Sequence, residues 1–158
     1  MKTLILGIGN KIKRDDVIGI LAAEKVFKKL DLAEKIDLKV ASAGGLPLLN
    51  KIEGYDKVFI LDSIQTEDGD PGNIYFLDLD DLDTGTDRIA SHTVDLKTVK
   101  KIGENTGEEI PKIHIFAIEV KEPYEFGKEM TKEMKEALPQ ITNKIKETIE
   151  EEVTKKEK

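Results

Sequence analysis

Residues 2–10 read Lys-Thr-Leu-Ile-Leu-Gly-Ile-Gly-Asn, a short apolar run that stops at a Gly-Ile-Gly-Asn turn. Lys2–Gly7 shows no polar alternation and is rich in branched side chains, the pattern of a strand covered on both faces. After the polar stretch Asn10–Asp16, Ile18, Leu21, Ala22, Val26 and Leu30 recur at spacings of three and four, one stripe of an amphipathic helix. Asp15 and Asp16 stand at the start of that helix, where a carboxylate can cap free N–H groups and meet the positive end of the helix dipole. A buried strand passing through a glycine turn into a helix is the opening of an α/β sheet.

The rest of the chain repeats the alternation. Ile36–Ala41 is a second strand, and Gly44-Gly45-Leu46-Pro47 introduces a short helix through Ile52, with Pro47 suited to its first turn. Lys57–Leu61 is a third strand, again a continuous apolar run after its first residue, ending at Asp62. A loop rich in Asp, Gly and Pro (Glu67–Gly72) leads to a fourth strand, Asn73–Leu77, with no helix between, so part of the sheet is expected to be antiparallel. Leu79–Ala90 is acidic and aperiodic, hence a surface loop. Thr93–Ile102 reads as a short helix closed by Gly103, and Lys112–Val120 as the fifth strand. Met130, Met134, Leu138, Ile141, Ile145 and Ile149 trace a long helical stripe, which Pro139 is expected to kink or divide. The fold expected is α/β: a three-layer αβα sandwich around a mostly parallel, twisted sheet of about five strands. Residues 1–149 should form one domain, and 150–158, a charge run with almost nothing to bury, a frayed tail.

Composition narrows the function. The 158 residues carry 25 basic and 32 acidic side chains, a net charge of −7, which argues against a protein that grips nucleic-acid phosphates. No run approaches the roughly 18 apolar residues of a membrane span, and the first residues lack the apolar core and cleavage site of a secretory signal. A cytoplasmic domain is expected. With no cysteine, disulfides, thiolate metal sites and cysteine nucleophiles are ruled out. The 36% charged content, mostly Lys and Glu, matches the balance of proteins that work at high temperature.

In an open parallel sheet, ligands bind beyond the carboxyl ends of the strands, near the switch in strand order. Gly9–Asp16, Asp62–Gln65 and Ser91-His92 should all arrive there. Asp16 and Asp62 each have a bland reading as a cap of a helix or turn, and His92 as a cap or an exposed ring. Together, two carboxylates and one imidazole make an open site for a divalent cation such as nickel or zinc. The helix start beside His92 favours the neutral imidazole that binds metal. His114 alternates with Ile113 and Ile115 and is better explained as one face of a sheet. Gly7-Ile8-Gly9 invites a dinucleotide reading, but position 12 is Ile where the fingerprint needs glycine, and two aspartates would repel a pyrophosphate. Ser63 and Ser91 lack a nucleophile elbow.

Gly7-Ile8-Gly9-Asn10 with Asp16 and Gly19, Leu61-Asp62-Ser63-Ile64, Asp70-Pro71-Gly72-Asn73-Ile74, and Ser91-His92 with Leu96 follow one another in an order that resembles the hydrogenase maturation endopeptidases. The likeness runs from about Lys2 to Ile102, with Phe116–Pro123 and the closing helix in agreeing order. It implies an endopeptidase that removes a short C-terminal extension from the large-subunit precursor of a [NiFe] hydrogenase after nickel delivery. Carried over, Asp16, Asp62 and His92 are both the catalytic and the metal-contacting positions, and Asn10 with its glycines shapes the turn that aims Asp16. The cofactor implied is nickel supplied by the client, replaceable by another divalent cation in vitro. The implied partner is that precursor, with no nucleic acid or membrane, the chain itself being a monomer or weak homo-oligomer. Val17, the basic run Lys11, Lys13 and Arg14, and Gly44-Gly45-Leu46-Pro47 depart from many relatives. The alternatives are a non-catalytic nickel-sensing chaperone for the same precursor and, more distantly, a nucleotide-cofactor binder.

Overall fold

The computed structural model describes residues 2–31, 36–42, 46–81 and 91–155; the side chains of 46, 47, 81, 91–96 and 99 lie outside that description. The elements are β1 (Thr3–Ile8), α1 (Ile18–Lys29), β2 (Ile36–Ala41), α2 (Leu46–Ile52), β3 (Lys57–Ile64), β4 (Ile74–Asp78), α3 (Ser91–Asn105), β5 (Lys112–Glu119) and α4 (Lys132–Lys155). The strands form one sheet in the order β2-β1-β3-β5-β4, parallel except for β4, which runs antiparallel to β5. From β1 the chain goes outward to β2 and then returns to β3 on the other side. The strand order therefore reverses between β1 and β3, where the carboxyl ends of an open sheet form a crevice.

Period-two alternation divides the core between two faces. Ile5, Phe59, Leu61, Phe116 and Ile118 pack with α1 and α4, while Leu4, Leu6, Ile8, Val58, Ile60, Ile113 and Ile115 pack with Leu48 and Ile52 of α2. α3 lies against α2. The three expected layers are thus present. Because β1, β3 and β5 are covered on both faces, their central residues are mostly apolar, and the polar ones gather at the strand ends apart from His114.

Four boundaries differ from the sequence reading. β3 continues past Leu61, because Asp62, Ser63 and Ile64 find ladder partners in Ala117, Ile118 and Glu119 of β5; the polar pair ends the apolar run but not the pairing. α3 begins at Ser91 and passes through Gly103. The stop comes at Gly107 (φ +84°), whose N–H donates to the Glu104 carbonyl while Glu108 N–H donates to that of Gly103, a Schellman closure that favours glycine. Pro139 does not divide α4: the buried stripe Met134, Leu138, Ile141, Ile145 and Ile149 is continuous across it. Most of the tail expected to fray is also helical. α4 runs on to Lys155, with Val153 packed on the core, and 156–158 lie outside the described residues. Of the acidic loop, Leu79–Asp81 is a single 3-10 turn anchored by buried Leu79, and 82–90 lie outside the described residues, as do Gly44 and Gly45.

Candidate functional site

The crevice is built by close backbone approach. A Cβ on Gly19 would stand 2.3 Å from the Ile8 carbonyl oxygen and 2.4 Å from that of Leu61, so the first turn of α1 sits directly on the last residue of β1 and on β3 beside Asp62. A Cβ on Gly9 would stand 2.3 Å from the Asp16 carbonyl oxygen. Only glycines let the 3-10 turn Asp15–Val17 fold down onto the sheet. Asn10 shapes the entry, its side-chain oxygen accepting the Ile12 N–H at 3.0 Å.

The two neighbouring aspartates then serve different ends, and no side-chain cap bond closes either helical start. Asp15 is fully buried and faces away from the crevice. Its carboxylate accepts the Glu122 N–H (2.7 Å), the Thr131 N–H (2.8 Å) and the Thr131 hydroxyl (3.0 Å). Asp16 faces β3, where its Oδ1 accepts the Ser63 hydroxyl at 2.5 Å. Ser63 also donates its N–H to Asp62 Oδ1 at 2.8 Å. One buried serine therefore joins two buried carboxylates that are 46 positions apart in the chain (62 − 16).

Alternation explains how adjacent residues do this. Ser63 shares the parity of Phe59 and Leu61, which face α1, and Asp62 that of Val58 and Ile60, which face α2. The Asp62 side is also the side of α3, whose second residue is His92. His92 thus lies within the first turn of a helix rather than in a loop before it, and its side chain is outside the description. Among the described residues no cluster of three His, Asp or Glu side chains is placed to hold a metal ion. The arrangement offers a pair of carboxylates held by a shared hydrogen-bond donor at a strand-order reversal, groups able to bind a hard or borderline cation and to accept a proton.

Two further side chains complete the neighbourhood. Glu119, at the end of β5, is buried and accepts the Thr66 N–H and hydroxyl, both at 2.7 Å, and the Tyr75 hydroxyl at 3.1 Å, which ties down the loop leaving β3. A glutamate directly after the apolar run Ile115–Ile118 was its signal in the sequence. His114 is buried in the sheet, stacked between Phe59 and Phe76 (centroids 5.4 and 5.3 Å), with Nδ1 3.2 Å from Asp78. Burial holds its pKa below the ordinary value. It is a core residue, as its alternation with Ile113 and Ile115 indicates.

The family model for hydrogenase maturation proteases (HycI) matches residues 11–148. The Hydrogenase 2 maturation protease of Escherichia coli K12 is 27% identical over 109 residues, a match covering 68% of this chain and 66% of that protein's length. Among solved structures, the hydrogenase maturating endopeptidase HybD from E. coli superposes with a TM-score of 0.77 at 22% identity, over 96% of this chain and 94% of that one. The [NiFe] hydrogenase maturation protease HycI from Thermococcus kodakarensis KOD1 does so with 0.66 at 25% identity, over 92% and 90%. With the family model covering most of its length, and the expected α/β sandwich in place, the chain belongs to the hydrogenase maturation protease family.

Proposed function

We propose that this chain is an endopeptidase that removes the C-terminal extension from the nickel-loaded large-subunit precursor of a [NiFe] hydrogenase, with Asp16, Asp62 and His92 receiving the client's nickel. The observation that carries the reading is the Asp16–Ser63–Asp62 connection at the β1–β3 reversal, in a chain of this family. The position of His92 is consistent with it. His92 lies in the first turn of α3, which packs against α2 on the sheet face that Asp62 shares.

The nickel belongs to the client and enters the reaction as part of the substrate. Its chemistry is polarisation of the scissile carbonyl or of an attacking water. The chain's own residues do the rest. Asp16 and Asp62, fixed through Ser63, present oxygens at a set spacing, and a carboxylate oxygen turned toward the water takes its proton and returns it to the departing amine nitrogen. Water thus adds to the carbonyl carbon as the C–N bond breaks. A precursor without nickel lacks the cation these ligands would share, so selectivity needs no deep side-chain pocket.

The test is to incubate purified protein with nickel-loaded and nickel-free precursor and weigh the products. Trimming of the loaded form alone is expected, and Asp16→Ala, Asp62→Ala and His92→Ala should leave the tail attached while retaining the circular dichroism of the parent. Binding of the precursor with no change in its mass would make the protein a docking factor and overturn the proposal.

A further inference from the structure

We propose that the ribbon formed by residues 10–15 and 122–127 is a docking lip, which takes an acidic, apolar stretch of the protein substrate and holds it beside Asp16; this rests on the endopeptidase reading above. The two segments are distant in sequence but joined as a short antiparallel pair. Arg14 N–H donates to the Glu125 carbonyl (3.0 Å), Gly127 N–H to that of Ile12 (2.9 Å) and Asp15 N–H to that of Glu122 (3.0 Å), with Lys13 bridged to Phe126. Beneath the pair, the buried Asp15 carboxylate holds Glu122 and Thr131. At the turn, the Glu122 carboxylate accepts the N–H groups of Tyr124 and Glu125 at 3.0 and 3.1 Å.

A segment tied down this thoroughly turns its largest side chains to water. Ile12 is 60% exposed, and Tyr124 and Phe126 are each 70% exposed. Three of the five large hydrophobic residues left exposed among the described residues therefore lie on this one ribbon. The backbone bonds that join the ribbon do not depend on these side chains, and a clustered exposed apolar patch marks a protein-binding surface. Held in place beforehand, such side chains lose little freedom on binding, which is what makes an anchor effective.

Charge identifies the occupant. Lys11, Lys13 and Arg14 form a local basic run in a chain of net charge −7. Arg14 is matched by Glu125 at 3.8 Å, and its Nε–H donates to the Glu129 carbonyl. Lys13 lies over the Phe126 ring at 5.9 Å, and neither Lys11 nor Lys13 pairs with a carboxylate among the described residues. The ribbon's formal charges balance, Lys11, Lys13 and Arg14 against Asp15, Glu122 and Glu125, but Asp15 and Glu122 are held by backbone N–H groups and Glu125 by Arg14, which leaves Lys11 and Lys13 to meet an acidic segment. The same stretch of chain then leads without interruption into the 3-10 turn that carries Asp16.

Trimming and binding of a nickel-loaded large-subunit precursor from the same genome, measured with the full-length protein, test the lip. In Ile12→Ser/Phe126→Ser, KM and Kd for the precursor should rise about tenfold or more, with kcat within about twofold of the parent. Lys11→Glu/Lys13→Glu should raise KM at low ionic strength and lose that effect near about 0.5 M salt. If the apolar double variant is unstable to heat, Tyr124→Ser with the lysine pair supplies the same comparison. An unchanged KM in these variants overturns the lip, as does self-association of the parent that the variants abolish, since the occupant would then be a second copy. The parent and Asp16→Ala together separate the two readings. If the parent binds the precursor without trimming it, the endopeptidase reading falls; if the parent trims, Asp16→Ala is inert and the ribbon variants keep the parental KM, only the lip falls.

Discussion

Ser63 is a clamp with two ends, its hydroxyl on Asp16 and its amide on Asp62, and both bonds are out of water. Ser63→Ala removes only the hydroxyl, leaving the Asp16 carboxylate one donor short in a buried place. A lost bond to a charged group costs about 1.5–3 kcal/mol of stability, read from urea midpoints. Loss of a partner that orients a ligand lowers cation affinity or trimming by about 10- to 100-fold. Ser63→Ala introduced into Asp16→Ala should cost nothing more, because the clamp then has nothing to hold; an additive loss would mean that Ser63 acts elsewhere. Both aspartates of this site were visible in the sequence as acids at strand ends. Ser63 was not, since its role depends on which face of β3 it occupies and on a carboxylate 47 residues away.

At the level of elements, α1 is set by its contact with the two strands. Gly19→Ala places a methyl group 2.3–2.4 Å from two carbonyl oxygens of β1 and β3, so the helix must lift. Overpacking of this kind costs about 1–3 kcal/mol, and moving Asp16 away from Ser63 should abolish trimming along with it. α4 presents the opposite case, a helix that tolerates a defect. Pro139 lacks the N–H that would bond the Lys135 carbonyl, yet Leu138 and Ile141 are buried on either side of it. Pro139→Ala should therefore stabilise the protein by up to about 3 kcal/mol, seen as a higher urea midpoint with unchanged slope. The proline was legible as a helix breaker. The packing that overrides it was not, because burial of six residues along one stripe is a property of the folded pair α1 and α4.

For the whole molecule, His114 links the sheet to pH. Burial is the main cause of its lowered pKa; Lys57 on β3 and Lys112 on β5 lower it further, while Asp78 on β4 and Glu152 on α4 oppose the shift. Its Nε2 has no hydrogen-bond partner among the described residues, so the folded state favours the neutral ring. The unfolded chain takes up this proton near pH 6.5 and the folded one only at lower pH. The contribution is therefore complete above about pH 6.5 and is lost as acid carries the pH down through the folded pKa. Between about pH 7.5 and 5, the urea midpoint of the parent should fall further than that of His114→Phe, which keeps the ring stack without the titration. Equal falls would show that His114 does not carry this dependence.

By itself the sequence determined the elements and their class. Apolar runs without alternation make buried strands, and stripes at three and four residues make helices, because both depend on the local period of burial. It also marked Asp16, Asp62 and His92 as polar groups arriving at strand ends or a helix start. Tertiary structure alone decided how far β3 extends, that Asp15 turns away to hold residues 122–131 while Asp16 turns to Ser63, and that two distant loops join into an exposed ribbon. Those outcomes depend on hydrogen-bond partners many residues away. A carboxylate or a backbone N–H carries no local sign of which distant group will satisfy it, only the requirement that one must when it is buried.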